Sequence, residues 1–260
     1  VNVMGDDSSI VQSARVSYGK GTKTVNEDEG LIRYLMRHHH TTPFEMVEFK
    51  FHCRMPIFVA RQWIRHRTAN VNEMSARYSE MPDWFYEPEA DLCTTQSAQN
   101  RQGGTGIQVP DSDQMSDEFK KIHDNTYSSY QQFLEKGMRR ELARVALPVS
   151  LYTEWYWKID LHNLLHFLRL RLDPHAQYEI RVFAEAMAEI VKDRVPVTWR
   201  AFEDYQLGAI PFSRLEVEYL KAALNTKDGE LPPVEKFVSN KREQRELEEK
   251  NTRLSQHTRW

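Results

Sequence analysis

Strict alternation of apolar and polar side chains predicts two half-buried strands. In the first, the apolar residues from Val47 to Cys53 alternate with charged residues and a histidine. In the second, the alternation runs from Leu151 to Ile159 and is dense in aromatic side chains. Because successive side chains of a strand point to opposite faces, a period of two places one set of each strand in the core. Cys53 belongs to the apolar set, so we predict that its thiol is an inert core group.

Apolar residues at helical spacing predict most of the other elements. Ser116 suits a helix N-cap, Gly137 suits a helix end, and Asp173 followed by Pro174 suits a cap and a first helical residue. A short strand is also expected near the N-terminus, at residues 1–4. The predicted helices cover residues 7–19, 27–39, 56–67, 116–137, 138–147, 161–169, 173–196, 197–205 and 214–225.

The densest group of candidate functional residues follows the helix that is predicted to begin at Pro56. Residues 61–78 gather four arginines and a histidine around one carboxylate, Glu73. The rigid fork of a guanidinium suits phosphate oxygens, and each charge-assisted hydrogen bond contributes roughly 1.5–3 kcal/mol. The cluster therefore predicts an anion site, most simply for a phosphorylated small molecule. The alternative is a solvated basic helix end that is paired with acidic neighbours.

Two other segments carry little apolar content. Residues 92–113 are rich in Thr, Gln, Ser and Gly, which predicts an exposed loop. After residue 225 the chain is of mixed charge, so we expect one domain over residues 1–225 and a charged tail over 226–260 that is at best a solvated helix. Three adjacent histidines, at 38–40, point in different directions on a helix, and we predict no metal site there.

Composition narrows the class of protein. The 260 residues fit one large domain or two small ones, and the formal charge of -3 with a pI near 6.4 argues against a general nucleic-acid binder. Two cysteines cannot form a disulfide framework, so a reducing cytoplasm is expected. Neither a signal peptide nor an apolar run of the ~20 residues needed to cross a bilayer is apparent, so no membrane partner is expected.

Five separated motifs together resemble the flavin-dependent thymidylate synthases. The spacing Arg65-His66-Arg67, seven residues, then Ser75 is similar to that family's signature. The resemblance covers roughly residues 1–205, in the family's usual order. The five motifs are Pro43–Glu45, Pro56–Gln62, Asn72–Tyr78, which contains the serine of that signature, Arg140–Arg144 and the stretch from Leu170-Arg171 to His175-Ala176-Gln177.

The resemblance implies a fold, a reaction and an assembly. It implies an α+β fold in which helices pack on a small, mostly antiparallel sheet. The implied reaction is the reductive methylation of dUMP to dTMP, with methylenetetrahydrofolate as the carbon donor and FAD, reduced by NADPH, as the hydride source. The implied assembly is a homotetramer whose active sites are shared between subunits.

The resemblance also assigns roles to single residues. Arg171 would be the catalytic group, which interacts with the uracil ring and favours its N3-ionised form. The residues implied to contact FAD are Thr42, Arg65, His66, Arg67, Glu73, His162 and His166. The residues implied to bind the nucleotide are Gln62, Arg65, Glu73, Ser75, Ala76, Arg77, Arg144 and Arg171, with Ser75 and the arginines on the phosphate.

Elementary chemistry agrees with a mechanism that lacks a cysteine nucleophile. Cys53 belongs to the core pattern and Cys93 to the predicted loop, so neither suits an activated thiolate. A guanidinium beside the pyrimidine ring can instead stabilise charge that develops on its carbonyls. Ser75 as a covalent nucleophile needs an adjacent base, and we favour its contact with phosphate.

Several alternatives stay open from the sequence alone. The basic cluster of residues 61–77 would also suit a phosphate-sensing or RNA-binding oligomeric module, and a catalytically silent scaffold is a third reading. Glu73 could be an internal counter-ion that holds the loop in shape. The aromatic residues Trp155, Tyr156 and Trp157 are expected in the core or at a subunit interface rather than against the flavin.

Overall fold

The computed structural model describes residues 1–16, 25–97, 103–226 and 231–255. They belong to two compact units, Val1–Phe202 and Glu203–Trp260. Helices accompany a small antiparallel sheet, which confirms the α+β class. The strands are β1 (Asn2–Met4), β2 (Glu48–Pro56), β3 (Asn70–Glu73), β4 (Thr94–Gln96), β5 (Gly104–Gln108) and β6 (Tyr152–Asp160). The α-helices are α1 (Asp7–Val16), α2 (Val25–Arg37), α3 (Ile57–Trp63), α4 (Ser112–Glu135), α5 (Arg140–Ala143), α6 (Leu161–Arg171), α7 (Tyr178–Arg194), α8 (Pro196–Phe202), α9 (Arg214–Leu224) and α10 (Lys241–Ser255).

The two strands with alternating sequence form the centre of the main sheet. Its order is β1-β2-β6-β3, and every neighbouring pair is antiparallel. Phe51 lies opposite Trp157 and Cys53 lies opposite Trp155, all on the buried face. The other face carries polar pairs such as Lys158 with Glu48. The period of two therefore predicted both the strands and the face that each residue occupies.

The core against this sheet is aromatic and centres on Trp63, the last residue of α3. Its ring meets Trp155, Trp157 and Phe167 at centroid distances of 5.4, 5.1 and 5.1 Å. Trp155 and Trp157 are buried, as predicted, whereas Tyr156 is 49% exposed and stacks on His52. Burial of this cluster fixes the end of α3 against α6 and so positions the basic stretch that follows it.

Most helix boundaries differ from the sequence predictions; the helix predicted over residues 138–147, for example, is reduced to α5 and a 3₁₀ turn at Arg144–Ala146, and two further differences have a clear physical reason. Helix α4 begins at Ser112, four residues before the predicted cap, and ends before Gly137, whose φ of +79° suits glycine. Helix α7 begins at Tyr178 rather than at Asp173. The Asp173 carboxylate accepts the backbone N–H of His175 at 2.8 Å, which closes a local turn before the helix starts. The predicted end of the first helix, at residues 17–19, lies outside the described residues.

The predicted loop at residues 92–113 contains regular structure, which corrects that prediction. Strands β4 and β5 pair antiparallel, and Thr95 and Thr105 join their hydroxyls at 2.5 Å. A Cβ on Gly104 would collide with the Thr94 side chain, so this glycine permits the close approach of the strands. The hairpin is exposed as predicted, but its sequence lacks the apolar alternation by which strands are recognised. Residues 98–102 lie outside the described part.

The second unit has a small core of its own. Tyr219 of α9 and Leu247 of α10 are buried, together with Val234 and Val238 between the helices. Ser213 and Glu216 form a capping box at the start of α9. The segment expected as a solvated tail thus supplies packed residues. The units divide after Phe202, whereas the catalytic domain is expected to extend to residue 225, and that extent stays a prediction.

Where the chain is described, no helix combines the length and the apolar character that a bilayer crossing needs.

Candidate active site

Helix α3 delivers the basic stretch to the surface. Pro56, predicted as the first helical residue, is instead the N-cap, and the N–H groups of Ile57 and Phe58 donate to the carbonyls of Leu151 and Val149 at 2.9 Å. Beyond the buried Trp63 the chain leaves the helix. The side chains of Arg65 and Arg67 are exposed there, and that of Arg61 is exposed within α3.

A histidine of this stretch holds the predicted catalytic arginine. Nε and Nη2 of Arg171, in the last turn of α6, donate to Nε2 of His66 at 3.2 and 3.1 Å. Burial, with the nearby positive charge of Arg171, lowers the pKa of His66 to about 4. The imidazole is therefore neutral at physiological pH and can accept from the guanidinium. Burial also lowers the pKa of Arg171.

Arg171 and Gln62 face one cavity, of about 800 Å³. Its walls are the β4–β5 hairpin and the connection between α6 and α7, including His175 and Gln177. The Oε1 atom of Gln62 is buried and has no hydrogen-bond partner among the described residues. A buried amide oxygen without a partner costs free energy, so this atom is available to a ligand donor. We call this space the Arg171 cavity.

A second cavity, of about 380 Å³, contains five of the predicted nucleotide-binding residues. It is lined by residues that follow β3 and by the segment after α5. Neither Arg77 nor Arg144 forms an ion pair with any carboxylate in the described ranges. Two unpaired guanidinium groups in one cavity suit an anion. We call this space the Arg144 cavity, and the five residues are Glu73, Ser75, Ala76, Arg77 and Arg144.

The acidic residue of the cluster does not pair with an arginine. Oε1 of Glu73 accepts a hydrogen bond from Oγ1 of Thr153 at 2.6 Å, and no described arginine reaches the carboxylate. Glu73 lines the same cavity as Arg77 and Arg144, so its interpretation as an internal counter-ion stays a prediction. Thr153 is a site residue that the sequence analysis missed. It is a polar residue at an apolar position of β6, and that break in the alternation is the signal that could have identified it.

The structure does not bring all predicted nucleotide-binding residues together in one protomer. Arg77 and Arg144 line one cavity, whereas Arg171 and Gln62 line the other, and no residue lines both. Of the residues predicted to contact the flavin, His162 and His166 lie one turn apart on α6, and Thr42 is exposed at the start of the 3₁₀-helix Thr42–Met46.

Comparison with known proteins decides the family. The family model described as "Thymidylate synthase complementing protein" matches residues 1–197. A flavin-dependent thymidylate synthase of Ehrlichia ruminantium (strain Gardel) is 56% identical over 248 residues, which cover 95% of this chain and 82% of that protein. The chain belongs to the flavin-dependent thymidylate synthase family. A member from Dictyostelium discoideum is 55% identical over 255 residues, with 97% of this chain and 80% of that protein covered, and one from Thermus thermophilus is 57% identical over 224 residues, with 86% and 82% covered.

Solved structures agree with this flavin-dependent thymidylate synthase fold. The UMP/dUMP methylase PolB from Streptomyces cacaoi, bound with 5-Br dUMP, superposes with a TM-score of 0.73 at 35% identity, and the match covers 80% of this chain and 94% of that one. The same methylase bound with 5-Br UMP gives a TM-score of 0.71 at 35% identity, with 80% and 93% covered.

Neither cysteine of this chain lines either cavity, although Leu92 and Thr94, which flank Cys93, line the Arg171 cavity. Cys53 is buried in β2, as predicted, and burial raises the pKa of its thiol to about 11. A thiol with that pKa stays protonated at neutral pH and is a poor nucleophile. Cys93 ends the 3₁₀-helix Ala90–Leu92 and lines neither cavity.

Proposed function

We propose that this chain methylates dUMP to dTMP and takes the methylene carbon from methylenetetrahydrofolate. The observation that carries the proposal is the pair of unpaired guanidinium groups, Arg77 and Arg144, beside Ser75 in one cavity. This arrangement suits the phosphate of a nucleotide, which accepts several charge-assisted hydrogen bonds at once. Family membership supports a nucleotide methylation over the alternatives of an RNA-binding module and a silent scaffold.

Arg171 would act on the pyrimidine ring. Its guanidinium can stabilise negative charge on the uracil carbonyls and so favour the N3-ionised ring, whose carbon is then electron-rich enough to react. His66 supports this role because its neutral imidazole accepts hydrogen bonds from Arg171 and so fixes the orientation of the guanidinium. Since the imidazole carries no negative charge, the positive charge of Arg171 stays available to the substrate. The unpaired Oε1 of Gln62 can accept a hydrogen bond from an O–H or N–H donor of the bound ligand. No cysteine adduct is required.

The flavin would be held by side chains rather than by a glycine-rich turn. Arg65 and Arg67 are exposed and form no ion pair within the described ranges, so they fit a pyrophosphate. With Arg171 bound to its Nε2 atom, His66 keeps Nδ1 for the cofactor. Thr42, Glu73, His162 and His166 complete the proposed FAD contacts. Bound FAD, reduced by NADPH, would supply the hydride.

We propose that a second copy of the chain completes each site. The Arg144 cavity and the Arg171 cavity share no lining residue, yet one nucleotide needs both its phosphate contacts and its ring contacts. A symmetric oligomer can place the phosphate residues of one copy beside Arg171 of another. The homotetramer implied by the sequence resemblance is one such assembly.

The test compares two arginines one helical turn apart. Arg144→Ala removes a proposed phosphate contact, so the KM for dUMP in dUMP-dependent NADPH oxidation should rise about 10- to 100-fold, because a charge-assisted hydrogen bond contributes roughly 1.5–3 kcal/mol. Arg140→Ala is the matched control, since Arg140 is exposed, pairs with Glu80 at 3.4 Å and lies outside the cavity. Equal KM values in both variants would refute the phosphate site.

A further inference from the structure

A third cavity, of about 500 Å³, lies in the first unit apart from the two described above. It is bounded by the start of β6, the segment of residues 83–87, and α4. Backbone hydrogen bonds fix the segment to β6: the N–H of Tyr152 donates to the carbonyl of Trp84, and that of Tyr86 donates to the carbonyl of Ser150, both at 2.9 Å. The cavity is therefore built on regular pairing. No residue lines both it and either of the other two cavities.

The charge of this cavity is negative. Asp83, Glu87 and Asp124 line it, and none of the three forms an ion pair with a lysine or arginine among the residues described. The lining arginine, Arg54, is already paired with Glu154 at 3.2 Å. Three carboxylates that line one cavity, beside a single arginine that is already paired, leave the cavity with an excess of negative charge that a bound cation would offset.

A buried histidine with an unpartnered ring nitrogen lines the same space. His123 is 3% exposed, its Nε2 atom lies 2.8 Å from Oγ of Ser150, and Phe85 stacks on its ring at 4.6 Å. Its Nδ1 atom has no hydrogen-bond partner in the described chain and lies 3.8 Å from Oε1 of Glu87. When Nε2–H donates to Ser150, Nδ1 and the carboxylate are two acceptors that one ammonium group can bridge.

An aromatic wall of the cavity already accommodates a cation. The Trp84 side chain is 49% exposed, and the guanidinium carbon of Arg54 lies 4.3 Å from its ring centroid. That distance is within the range in which a cation is attracted to the face of an indole. Negative charge, an unpartnered buried ring nitrogen and an aromatic wall therefore line one cavity.

We infer that this cavity binds an aliphatic polyamine. The carboxylates come from the 83–87 segment and from α4, so the complementary charge has to be spread along a ligand rather than concentrated at one point. The described residues contain no group of three or more His, Cys, Asp or Glu side chains arranged to hold a metal ion. The cavity volume is in the range of small-molecule sites. One ammonium group would lie between His123 and Glu87, and the others would face Asp83 and Asp124.

The test is calorimetric titration of the full chain with spermidine at low salt. The wild-type protein should bind saturably, and the double variant Asp83→Asn/Asp124→Asn should bind about tenfold more weakly, because two partly exposed charge pairs together contribute roughly 1–2 kcal/mol. Glu87→Gln should also weaken binding. This variant provides a second test if the double variant does not fold, because Glu87 is 42% exposed and its substitution disturbs no core packing.

Glu218→Gln is the matched control. It removes one negative charge from an exposed pair with Arg214, on α9 and outside the cavity. Unchanged spermidine binding in this variant would support a local site, whereas an equal loss would show attraction by bulk charge and overturn the proposal. Absence of saturable binding, or saturable binding of Mn²⁺ without binding of spermidine, would overturn it as well.

Discussion

At the scale of single residues, the pairing of His66 with Arg171 has the clearest functional consequence. An imidazole can accept a hydrogen bond from a guanidinium only when it is neutral. Burial and the neighbouring cation keep it neutral by lowering the pKa of His66 from 6.5 to about 4. Two basic groups that are far apart in sequence thereby form one hydrogen-bonded pair, and the guanidinium of Arg171 gains a fixed orientation.

The first residue-scale prediction concerns pH and stability. Between pH 6.5 and about 4 the unfolded chain binds a proton at His66 that the folded chain excludes. Folding stability therefore rises with pH through this window and is lost as the pH falls through it. His66→Gln should flatten this dependence in urea unfolding followed from pH 4 to 7. His162→Gln is the control, and an equal flattening in that variant would contradict the assignment.

A second residue-scale prediction concerns the cysteines. Cys93→Ala and Cys53→Ala should both retain dUMP-dependent NADPH oxidation, because neither thiol lines a proposed substrate cavity. Cys53→Ala should lose about 1 kcal/mol or more of stability, since it opens a small space in the core. A folded but inactive variant would refute a mechanism without a cysteine nucleophile.

At the scale of elements, the β4–β5 hairpin is the feature that most changes the site. It forms a wall of the Arg171 cavity although its sequence predicts only an exposed loop. Its strands meet at Gly104, where a side chain would collide with Thr94. The packing of this one residue therefore controls how closely the hairpin encloses the cavity.

The element-scale prediction is that Gly104→Ala loosens the hairpin. Amide hydrogen exchange in β4 and β5 should become faster, and the KM for dUMP should change because the cavity wall moves. Gly30→Ala in α2 is the matched control: a Cβ there meets no atom within 4 Å, and alanine favours a helix by about 1 kcal/mol over glycine. Unchanged exchange in the hairpin would contradict the role assigned to Gly104.

At the scale of the whole molecule, the separation of the two cavities governs how activity arises. One protomer contains the proposed phosphate-binding residues with Arg144 and the proposed ring-binding residues with Arg171, in spaces without a common residue. The proposed active site therefore requires two copies of the chain. The smaller helical unit, Glu203–Trp260, has its own core and contributes no residue to either cavity.

The whole-molecule prediction is complementation between inactive subunits. Arg144→Ala and Arg171→Ala should each be defective, and co-refolding them in equal amounts should restore dTMP formation to about a quarter of the wild-type rate. With random mixing, about half of the shared sites receive an intact Arg144 from one copy, and about half of those also receive an intact Arg171 from the other copy, so about a quarter of the sites are complete. Mixed subunits as inactive as the separate variants would place both arginines of each site in a single copy.

Sequence alone determined the parts of this protein that depend on local pattern. The alternation along β2 and β6 fixed the central strands and the burial of Cys53, because a strand with one buried face must repeat every two residues. The spacing of the basic motif, together with the other matching motifs, predicted the family, which the family match over residues 1–197 confirms, whereas the nucleotide-binding residues stay a prediction. Each of these patterns can be recognised from residues that are close together in the sequence.

Tertiary structure decided what depends on contacts between distant segments. Helix α7 begins at Tyr178 because a local turn at Asp173 competes with the helix. The β4–β5 hairpin forms through strand pairing that no apolar pattern in its sequence predicts. The bond between His66 and Arg171 joins residues 105 positions apart. Which arginines share a cavity follows from how the strands and helices pack, since proximity in the fold is set by long-range burial rather than by local sequence.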